Sequence, residues 1–546
     1  AELAEILGRE LTPRGLGTTI PFALPRTNRS GIVLGGTFTG LKDISASVTQ
    51  ASAAALSASQ VIHSSGGSLA LESLPAPPID ALAREIPRIL AVVCTCGGKL
   101  SGFDDPTEIV QHLKTNPVVK QVEFLEHICT ADGWAQLAEL VETNKPNRLL
   151  IGACMPYVYQ RKLRELGRQV DMDPVLMEVV DVNAELKSKR LLLRNVLSAL
   201  EMGIAKLKWV DPSSTATVPV AQRALVIGGG IAGMTAALAI ADHGFQVDLV
   251  EQAEQLGGNL NWLQHTLEGH SIETLLEDTR HLLEKHPKID VHVQSQVISS
   301  VGQVGSFLTS LEGPQNSIQT LEHGVTILAT GGAEAETASY GYGTNPSIIT
   351  HKELEQKLAA GKIEPEQHDS VVMIQCVDSR EEPRNYCSRV CCANSLKQAL
   401  DLKEKNPELS VYILFRDMMA YGFAETYYTR ARTAGVIFIQ YQVDEKPQVK
   451  CDPASLEVAV FEQILGRPLQ IQTDLVVLAT GIVPNLPQGL VEIFGATIDQ
   501  DGFFQEAESK WRPVDSLKEG VFACGLAHSP RNIPEAITTA EAAAAR

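Results

Sequence analysis

One glycine-rich turn constrains the fold of this 546-residue chain more than any other feature. An apolar run over residues 224–227 leads into Gly228, Gly230 and Gly233, spaced as G-x-G-x-x-G, and a helix-like run follows. In such a unit the first glycine permits a tight turn, the second lets the backbone approach a pyrophosphate, and the third lets helix and strand pack closely. The pattern therefore predicts a dinucleotide-binding α/β domain with a parallel sheet.

The residues after this turn strengthen the prediction. Glu251 follows the apolar strand Gln246–Val250, where an acidic residue accepts hydrogen bonds from an adenosine ribose; a solvated strand-end carboxylate is the alternative interpretation. Two later strand-like runs each end in an Ala-Thr-Gly turn, which lets the backbone pass close to a dinucleotide. The candidate cofactor-binding residues are Gly228, Gly230, Gly233, Glu251, Gly258, Asn259, Thr330, Gly331, Gly481, Gly525 and Ile533.

Four cysteines follow the apolar strand Val371–Gln375, where a flavin-dependent reductase would carry its nicotinamide-binding glycine loop. They span seventeen residues, and a helix-like run over 393–403 comes after them. Thiolates at this density predict a cage for a [4Fe–4S] cluster, with a tetrahedral zinc site as the alternative. This second cysteine group consists of Cys376, Cys387, Cys391 and Cys392.

An earlier set of cysteines follows the strand-like runs 89–93, 119–125 and 148–151. Because parallel strands end at one edge of a sheet, these sulfurs should meet there and hold a second cluster, although ordinary buried cysteines would give the same pattern. We interpret Cys451 and Cys524 as packing residues and His127 as a solvated imidazole. This first cysteine group consists of Cys94, Cys96, Cys129 and Cys154.

Charge and hydropathy exclude several function classes. The chain has 46 basic and 65 acidic side chains, a net charge of −19, and no basic stripe that would bind a phosphate backbone, so no nucleic-acid role is expected. No apolar stretch reaches the roughly 18 residues that span a bilayer, and no signal-peptide pattern is seen. A soluble cytoplasmic protein is expected, and ten cysteines in it favour metal or redox chemistry over disulfides.

Residues 31–55 align without gaps to residues 520–544. The pairs Gly31/Gly520, Gly36/Gly525 and Ile44/Ile533 are identical, which favours a true internal repeat over a chance match of Ala-rich helices. The repeat predicts that residues 1–60 resemble the closing part of a second dinucleotide-binding domain, as the remnant of a tandem unit or as a segment that completes something else in an assembly.

Residues 222–546 resemble the two-dinucleotide-fold flavoproteins, to which thioredoxin reductase belongs. The resemblance rests on the glycine turn, Glu251, the Ala-Thr-Gly turns and the segment Glu519–Gly525. It implies FAD, with its pyrophosphate at the helix after Gly228 and with a helix starting near Pro534 directed at the flavin pyrimidine. Arg531, aligned with Lys42 in the repeat, is the candidate cation near the flavin ring. Leu526 stands where the family commonly has an acid, so the ribityl contact departs from the family pattern.

Residues 90–546 resemble the A subunits of heterodisulfide reductases. The motifs are Cys94-x-Cys96-Gly, Cys129, Cys154-Met-Pro, Cys376-Val-Asp-Ser-Arg and the run Tyr386–Cys392. The resemblance implies an FAD and iron–sulfur oxidoreductase that relays electrons and in several cases splits electron pairs. It also implies a complex with B-type, C-type and iron–sulfur electron-entry subunits, in which the chain forms a homodimer. The ferredoxin modules that many members carry are absent from this sequence. Arg380, Arg384 and Arg389 could offset the cluster charge, or face solvent.

The expected fold class is α/β, a two-dinucleotide-fold flavoprotein with an N-terminal small α/β iron–sulfur domain. The predicted segments are the repeat 1–60, a linker 61–85, the iron–sulfur domain 86–210, the first part of the FAD domain 219–335, an inserted domain 336–472, and the second part of the FAD domain 473–546. A second linker is expected over 208–222.

Two other functions stay open on the sequence alone. An NAD(P)H-dependent disulfide reductase would need a C-x-x-C pair and a second glycine loop, and the sequence has neither. A non-catalytic flavoprotein scaffold would carry zinc or nothing at its cysteines.

Overall fold

The computed structural model describes residues 4, 6–8, 11, 12, 14–64, 86–96, 106–154, 156–182, 189–211, 219–452 and 455–546. The chain divides into two compact units, residues 70–218 and residues 1–69 together with 219–546. Near the N-terminus a 3₁₀ turn, Gly36–Thr39, precedes helix α1, Ile44–Ser64. This helix extends past the predicted boundary at residue 60, and residues 65–85 of the predicted linker lie outside the described residues.

The unit of residues 70–218 is a small parallel α/β domain. Its four strands lie in the order β2-β1-β3-β4, and every neighbouring pair is parallel. Apolar residues pack on both faces of this sheet, as its alternation of strand and helix requires. The elements are β1 (Ile89–Cys94), α2 (Pro106–Lys114), β2 (Val119–Leu125), α3 (Ala131–Asn144), β3 (Arg148–Ala153), α4 (Gln160–Val170), β4 (Met177–Asp181) and α5 (Lys189–Trp209).

The glycine turn lies in a five-stranded parallel sheet of the larger unit, with the order β22-β11-β5-β6-β7, in which β22 is Val521–Ala523. A three-stranded antiparallel sheet, β10-β9-β8, accompanies it. Helix α6 is almost wholly apolar and buried, since it lies between this sheet and the C-terminal helix. The elements are β5 (Arg223–Ile227), α6 (Ile231–Ala241), β6 (Gln246–Val250), α7 (Ile272–Lys285), β7 (Ile289–His292), β8 (Gln296–Gln303), β9 (Ser306–Glu312), β10 (Ile318–His323) and β11 (Val325–Leu328).

The cysteine-bearing segment lies in a second five-stranded parallel sheet, with the order β13-β20-β14-β15-β16 and its own antiparallel companion, β17-β18-β19. The strands β12 and β21 pair as a short antiparallel ribbon. The elements are β12 (Gly332–Glu334), β13 (Ile348–Thr350), α8 (His351–Ala359), β14 (Ser370–Ile374), α9 (Cys391–Lys405), β15 (Ser410–Phe415), α10 (Glu425–Thr433), β16 (Ile437–Gln440), β17 (Gln448–Asp452), β18 (Ser455–Glu462), β19 (Arg467–Thr473), β20 (Leu475–Leu478), β21 (Ile482–Pro484), α11 (Leu490–Phe494), β22 (Val521–Ala523) and α12 (Ile533–Ala545).

These two sheets confirm the predicted two-dinucleotide α/β fold, with three changes. Strand β20 pairs with β13 and β14, so the second sheet continues past the predicted boundary at residue 472. Helix α9 begins at Cys391, two residues before the predicted start, so the adjacent cysteines lie in its first turn. Cys451 is exposed on β17 instead of packed, whereas Cys524 is buried as predicted. Among the described residues, no helix combines the length and apolar character that a membrane crossing requires.

His323, at the end of β10, predicts a dependence of stability on pH. Its ring nitrogens lie 2.7 Å from Thr309 Oγ1 and 3.0 Å from the Val325 carbonyl oxygen, and burial lowers its pKa from 6.5 to about 4. The unfolded chain therefore binds this proton at higher pH than the folded chain does. The free energy of unfolding should fall as pH drops from about 6.5 to about 4.

In His323→Gln this acid-induced loss should shrink by about 1–3 kcal/mol, because the titrating ring is gone. Urea unfolding at neutral and at mildly acidic pH measures the change. An unaltered pH slope in the variant would show that His323 is not buried in its neutral form.

Candidate functional site

The glycine turn opens into a cavity of about 1160 Å³ within the larger unit. A Cβ at Gly228 would lie 2.2 Å from the carbonyl oxygen of Ala329, and one at Gly233 would lie 1.8 Å from the carbonyl oxygen of Gly228. Both glycines are therefore needed for internal packing. A Cβ at Gly230 would meet nothing within 4 Å, so the cavity side of the turn is free for a ligand to approach the backbone.

Glu251 lies on the cavity wall at the end of β6. Its carboxylate accepts hydrogen bonds from the backbone N–H groups of Gly229 at 2.6 Å and Ala253 at 2.7 Å. The side chain thus holds the glycine turn in place as well as facing the cavity. Gly258 and Asn259 also line the cavity, and Asn259 Nδ2 donates to the carbonyl oxygen of Gly332 at 2.9 Å.

The two Ala-Thr-Gly turns lie at the same cavity, where the ribbon of β12 and β21 links the two sheets. The backbone N–H of Asn485 donates to the Gly331 carbonyl oxygen at 3.0 Å, which ties one turn to the other. Thr330 and Thr480 line the cavity with buried hydroxyl groups that have no hydrogen-bond partner among the described residues. Buried polar groups are rarely left unpaired, so these hydroxyls indicate a polar ligand. Gly481 lines the cavity beside them.

The start of α12 closes the cavity. Arg531 and Ile533 line it, and Asn532 caps the helix in a reciprocal pair with Glu535. Burial lowers the pKa of Arg531, and the positive charge of Arg389 lowers it further. The Nε atom of Arg531 has no hydrogen-bond partner in the described structure. A buried cation with an unused donor beside a helix N-terminus suits an anionic or polar ligand.

Gly525, like Gly233, serves internal packing and does not line the cavity. A Cβ there would lie 2.7 Å from the Cβ of Ala232 in α6, so this glycine serves the contact between the closing segment and the glycine-turn helix. Its neighbour Leu526 lines the cavity.

A buried ion pair beside this cavity was not predicted from the sequence. Lys397 Nζ on α9 lies 2.6 Å from Glu355 Oε1 on α8, and both side chains are only 4% exposed. Burial alone would raise the pKa of Glu355, but Lys397, Gln398 and the backbone N–H of Gln264 outweigh it and hold the pKa below its usual value. In the sequence, Lys397 looks like any lysine of a surface helix.

Polar contacts continue from this pair toward the cysteine segment. The ring of His351, which lines the cavity, is hydrogen-bonded to Gln398 on one side and to Ser395 on the other. Ser395 accepts a hydrogen bond from Gln375, the residue before Cys376. A continuous row of buried polar side chains therefore joins the cavity to the start of the cysteine loop.

Replacing Lys397 with Met should destabilise the chain by about 3–5 kcal/mol, because it leaves a buried carboxylate without its counterion. Urea unfolding measures the loss. Adding Glu355→Gln to that variant should recover part of it, since the stranded charge is removed. Equal stability of K397M and the unmodified chain would contradict the buried pair.

The second cysteine group lies in the loop after β14 and in the first turn of α9. Burial is the main cause that raises the pKa values of Cys376, Cys391 and Cys392. The neighbouring sulfurs of Cys376 and Cys387 raise the pKa of Cys392 further, to about 11. For Cys391 too, burial is the largest cause, and the sulfurs of Cys392, Cys376 and Cys387 raise its pKa further. The four thiols therefore lie close enough to repel one another once ionised, which a bound cation would relieve.

The loop that presents these thiols is conformationally unusual. Cys376, Asp378, Arg380 and Arg389 all have positive φ angles, between +49° and +62°, which non-glycine residues rarely adopt. Such strain persists only where surrounding contacts impose it. The contacts are present: Asp378 accepts hydrogen bonds from Thr337 and Ser339 at 2.6 and 2.7 Å.

Arginines surround the same thiols. Arg380 Nη1 lies 3.9 Å from Cys376 Sγ, and the backbone N–H of Arg389 donates to Cys387 Sγ at 3.3 Å. Arg384 donates to the Thr480 carbonyl oxygen at 2.8 Å instead, so it anchors the loop to the cavity wall.

The loop also reaches the closing helix on the cavity side. The Arg389 guanidinium bonds Glu535 at 2.9 Å and the Pro530 carbonyl oxygen at 3.3 Å. Ser388 Oγ accepts a hydrogen bond from the Ile482 N–H at 2.8 Å. Cys391 itself lines the cavity. The second cysteine group and the cavity therefore share a wall.

The first cysteine group gathers at one edge of the small sheet. Cys94 ends β1, Cys154 directly follows β3, and Cys129 lies in the turn after β2. Burial raises the pKa of Cys154 most, and Cys96, Cys94 and Cys129 raise it further. Tyr159, a residue that the sequence pattern did not single out, is buried beside the four sulfurs, and burial followed by these sulfurs raises its pKa. His127 is exposed.

The spacing of the thiols bears on which metal they suit. Within the described ranges, no three His, Cys, Asp or Glu side chains converge closely enough to hold a single metal ion. A [4Fe–4S] cluster requires its four sulfur ligands to lie farther apart than a single metal ion does, because each thiolate binds a different iron atom. Both groups consist of free cysteines, and their roles as cluster or zinc ligands stay predictions.

Known proteins are similar to this chain. A family model described as an NAD(P)-binding Rossmann-like domain matches residues 226–274, which contain the glycine turn and Glu251. An iron–sulfur A subunit of CoB–CoM heterodisulfide reductase from Methanopyrus kandleri is 28% identical over 566 aligned positions, covering 85% of this chain and 86% of that protein. This chain is similar to heterodisulfide reductase A subunits over most of its length.

A relative from another organism is similar over the same extent. The A subunit of the H₂:CoB–CoM heterodisulfide, ferredoxin reductase from Methanothermobacter marburgensis is 26% identical and covers 85% of each chain. Among solved structures, the chain also matches thioredoxin reductase of T. acidophilum, with a TM-score of 0.43 and 16% identity over 59% of this chain and 97% of that one. The predicted resemblance to A subunits is confirmed, and the individual residue roles stay predictions.

Proposed function

We propose that this chain is an FAD- and iron–sulfur-containing oxidoreductase subunit that passes electrons within a heterodisulfide-reductase-type complex. The observation that carries the proposal is the shared wall, where Cys391 belongs to the second cysteine group and also lines the cavity of the glycine turn. When bound, FAD supplies exchange of electron pairs and a [4Fe–4S] cluster supplies exchange of single electrons. A common wall would bring these two chemistries side by side.

The cavity fits FAD in size and in chemistry. Its 1160 Å³ exceeds the range of about 300–1,000 Å³ that suffices for drug-sized ligands, as a dinucleotide requires. Gly230 and the N-terminus of α6 would receive the pyrophosphate, and Glu251 would receive the ribose. Arg531 and the start of α12 would face the flavin pyrimidine.

The protein's own charges would tune the second cysteine group. Four thiolates with a cluster carry net negative charge, which Arg380 and the backbone N–H of Arg389 are placed to offset. Hydrogen bonds to cluster sulfur and burial are the established means of setting a cluster's potential. The ion pairs that hold both arginines, to Asp417 and Glu535, keep these groups in position.

The wider assembly is part of the same proposal. The M. marburgensis relative is named as a reductase of both a heterodisulfide and ferredoxin. By homology this chain would act as a homodimer beside B-type, C-type and iron–sulfur electron-entry subunits, and would split electron pairs between two routes. The two cysteine groups would each provide a one-electron site.

A reductive titration tests this function against the disulfide-reductase alternative. Anaerobic chain should take up roughly four electron equivalents, two on FAD and one on each of two clusters, whereas NAD(P)H should not bleach the flavin because β14 leads into cysteines instead of a second glycine loop. Uptake of only two equivalents, or rapid bleaching by NAD(P)H, would reject the proposal.

A further inference from the structure

The N-terminal repeat folds as a second copy of the segment that closes the FAD cavity. At matching positions, the bridge Arg26–Val33 corresponds to Asp515–Phe522, and the 3₁₀ turn Gly36–Thr39 corresponds to Gly525–Ala527. Helix α1 likewise corresponds to α12, and the two helices pack against each other.

The match extends to the backbone conformation of the repeated glycines. Gly31 and Gly520 have φ angles of +82° and +80°, and Gly36 and Gly525 have φ angles of +67° and +65°. These are conformations that only glycine adopts at low cost. Equal backbone conformation at both glycine pairs indicates that the two copies are built for the same kind of contact.

The C-terminal copy shows what that contact is. Strand β22 pairs with the parallel strand β11, Gly525 lies against Ala232 at the start of α6, and Ala540 is fully buried in the apolar core that α6 contributes to. The copy is therefore covered by the strand and helix of a dinucleotide-binding unit.

The N-terminal copy lacks that cover. No described strand pairs with residues 32–34, and a Cβ at Gly36 would meet nothing within 4 Å. Ala51, the counterpart of Ala540, is exposed. Phe38 is 43% exposed, whereas Ala527, its counterpart in the other copy, is 1% exposed.

We infer that residues 14–64 close a second flavin domain, whose strand, G-x-G-x-x-G turn and helix come from a polypeptide segment outside residues 1–546. The C-terminal copy shows what this missing segment must provide. It should place a parallel strand beside residues 32–34 and a glycine-turn helix against Gly36 and Ala51. Lys42, aligned with Arg531, would stand at the flavin end of that second site. A second copy of this chain does not suit the surface, because its own unit is already closed by its α12.

Site-specific photocrosslinking in the complex purified from source cells tests the inference. Benzoylphenylalanine at position 38 should crosslink to a peptide that carries or flanks a G-x-G-x-x-G turn outside residues 1–546. The control position is Ile464, 93% exposed at a hairpin end. Crosslinks to a second copy of residues 1–546, or to a protein without such a unit, would overturn the inference. A crosslinking yield at position 38 no higher than that at position 464 would also overturn it.

A substitution on the same surface provides an independent readout. Ala51→Arg should lower the yield of the crosslinked product at least about tenfold and also lower the FAD content of the complex. The reason is that the bulky charged side chain blocks the contact with the glycine-turn helix. The matched variant Ser64→Arg, on the exposed end of α1, should change neither. Both variants should keep the FAD and melting temperature of the isolated chain, so a loss there, or no effect of Ala51→Arg on the complex, would contradict the inference. The proposed function of residues 219–546 would stand in either case.

Discussion

Replacing Cys387 with Ser should remove the iron of one cluster and leave the FAD in place. Cys387 lies in the loop between β14 and α9, and its sulfur accepts the Arg389 N–H at 3.3 Å, so the substitution removes a predicted ligand without disturbing an apolar core. The chain should lose roughly four of roughly eight iron atoms, together with the matching acid-labile sulfide. Iron and sulfide assays with the visible spectrum of anaerobic protein measure the loss.

The control for this variant is Cys451→Ser. Cys451 is exposed on β17 and belongs to neither cysteine group, so iron, sulfide and FAD should all stay at the level of the unmodified chain. Full iron content in Cys387→Ser would remove that residue from the ligand set. Loss of iron in the Cys451 variant would show that the assay reports general instability.

Replacing Gly230 with Val should abolish FAD binding without unfolding the chain. Gly230 has φ and ψ angles of −75° and −179°, which valine adopts readily, and its Cβ would point into open cavity. The two methyl groups would occupy the space where a pyrophosphate approaches the backbone. The Kd for FAD should rise at least about 100-fold, a loss of about 2.7 kcal/mol.

FAD content after purification and fluorescence titration of the flavin measure this effect. Iron content is the internal control, because both cysteine groups lie on other segments and should keep their clusters. FAD binding that survives Gly230→Val would move the dinucleotide away from the glycine turn. By contrast, Gly233→Val should unfold the domain, since its Cβ would lie 1.8 Å from a carbonyl oxygen.

The local elements of this fold were predictable because each carries a local signal. The apolar run before Gly228 and the three glycines specify a strand, a turn and a helix on their own, and the parallel small sheet brings Cys94, Cys129 and Cys154 to one edge as strand order requires. The start of α9 was missed by two residues because cysteines have no marked helix propensity, so Cys391 carries no start signal.

Long-range features could not be predicted in the same way. Strand β20 was assigned to the wrong domain because its Ala-Thr-Gly ending repeats that of β11, and only its pairing with β13 and β14 tells the two apart. The pair of Lys397 and Glu355 depends on how α8 and α9 pack. The shared wall at Cys391 likewise arises from the assembly of distant segments.

The most direct test of the central claim is the content of iron, acid-labile sulfide, zinc and FAD per chain after oxygen-free purification. We expect roughly eight iron and eight sulfide, one FAD and no zinc. Zinc in place of iron with no sulfide, or an intact chain that holds a pyridine nucleotide at Cys376, would contradict the claim.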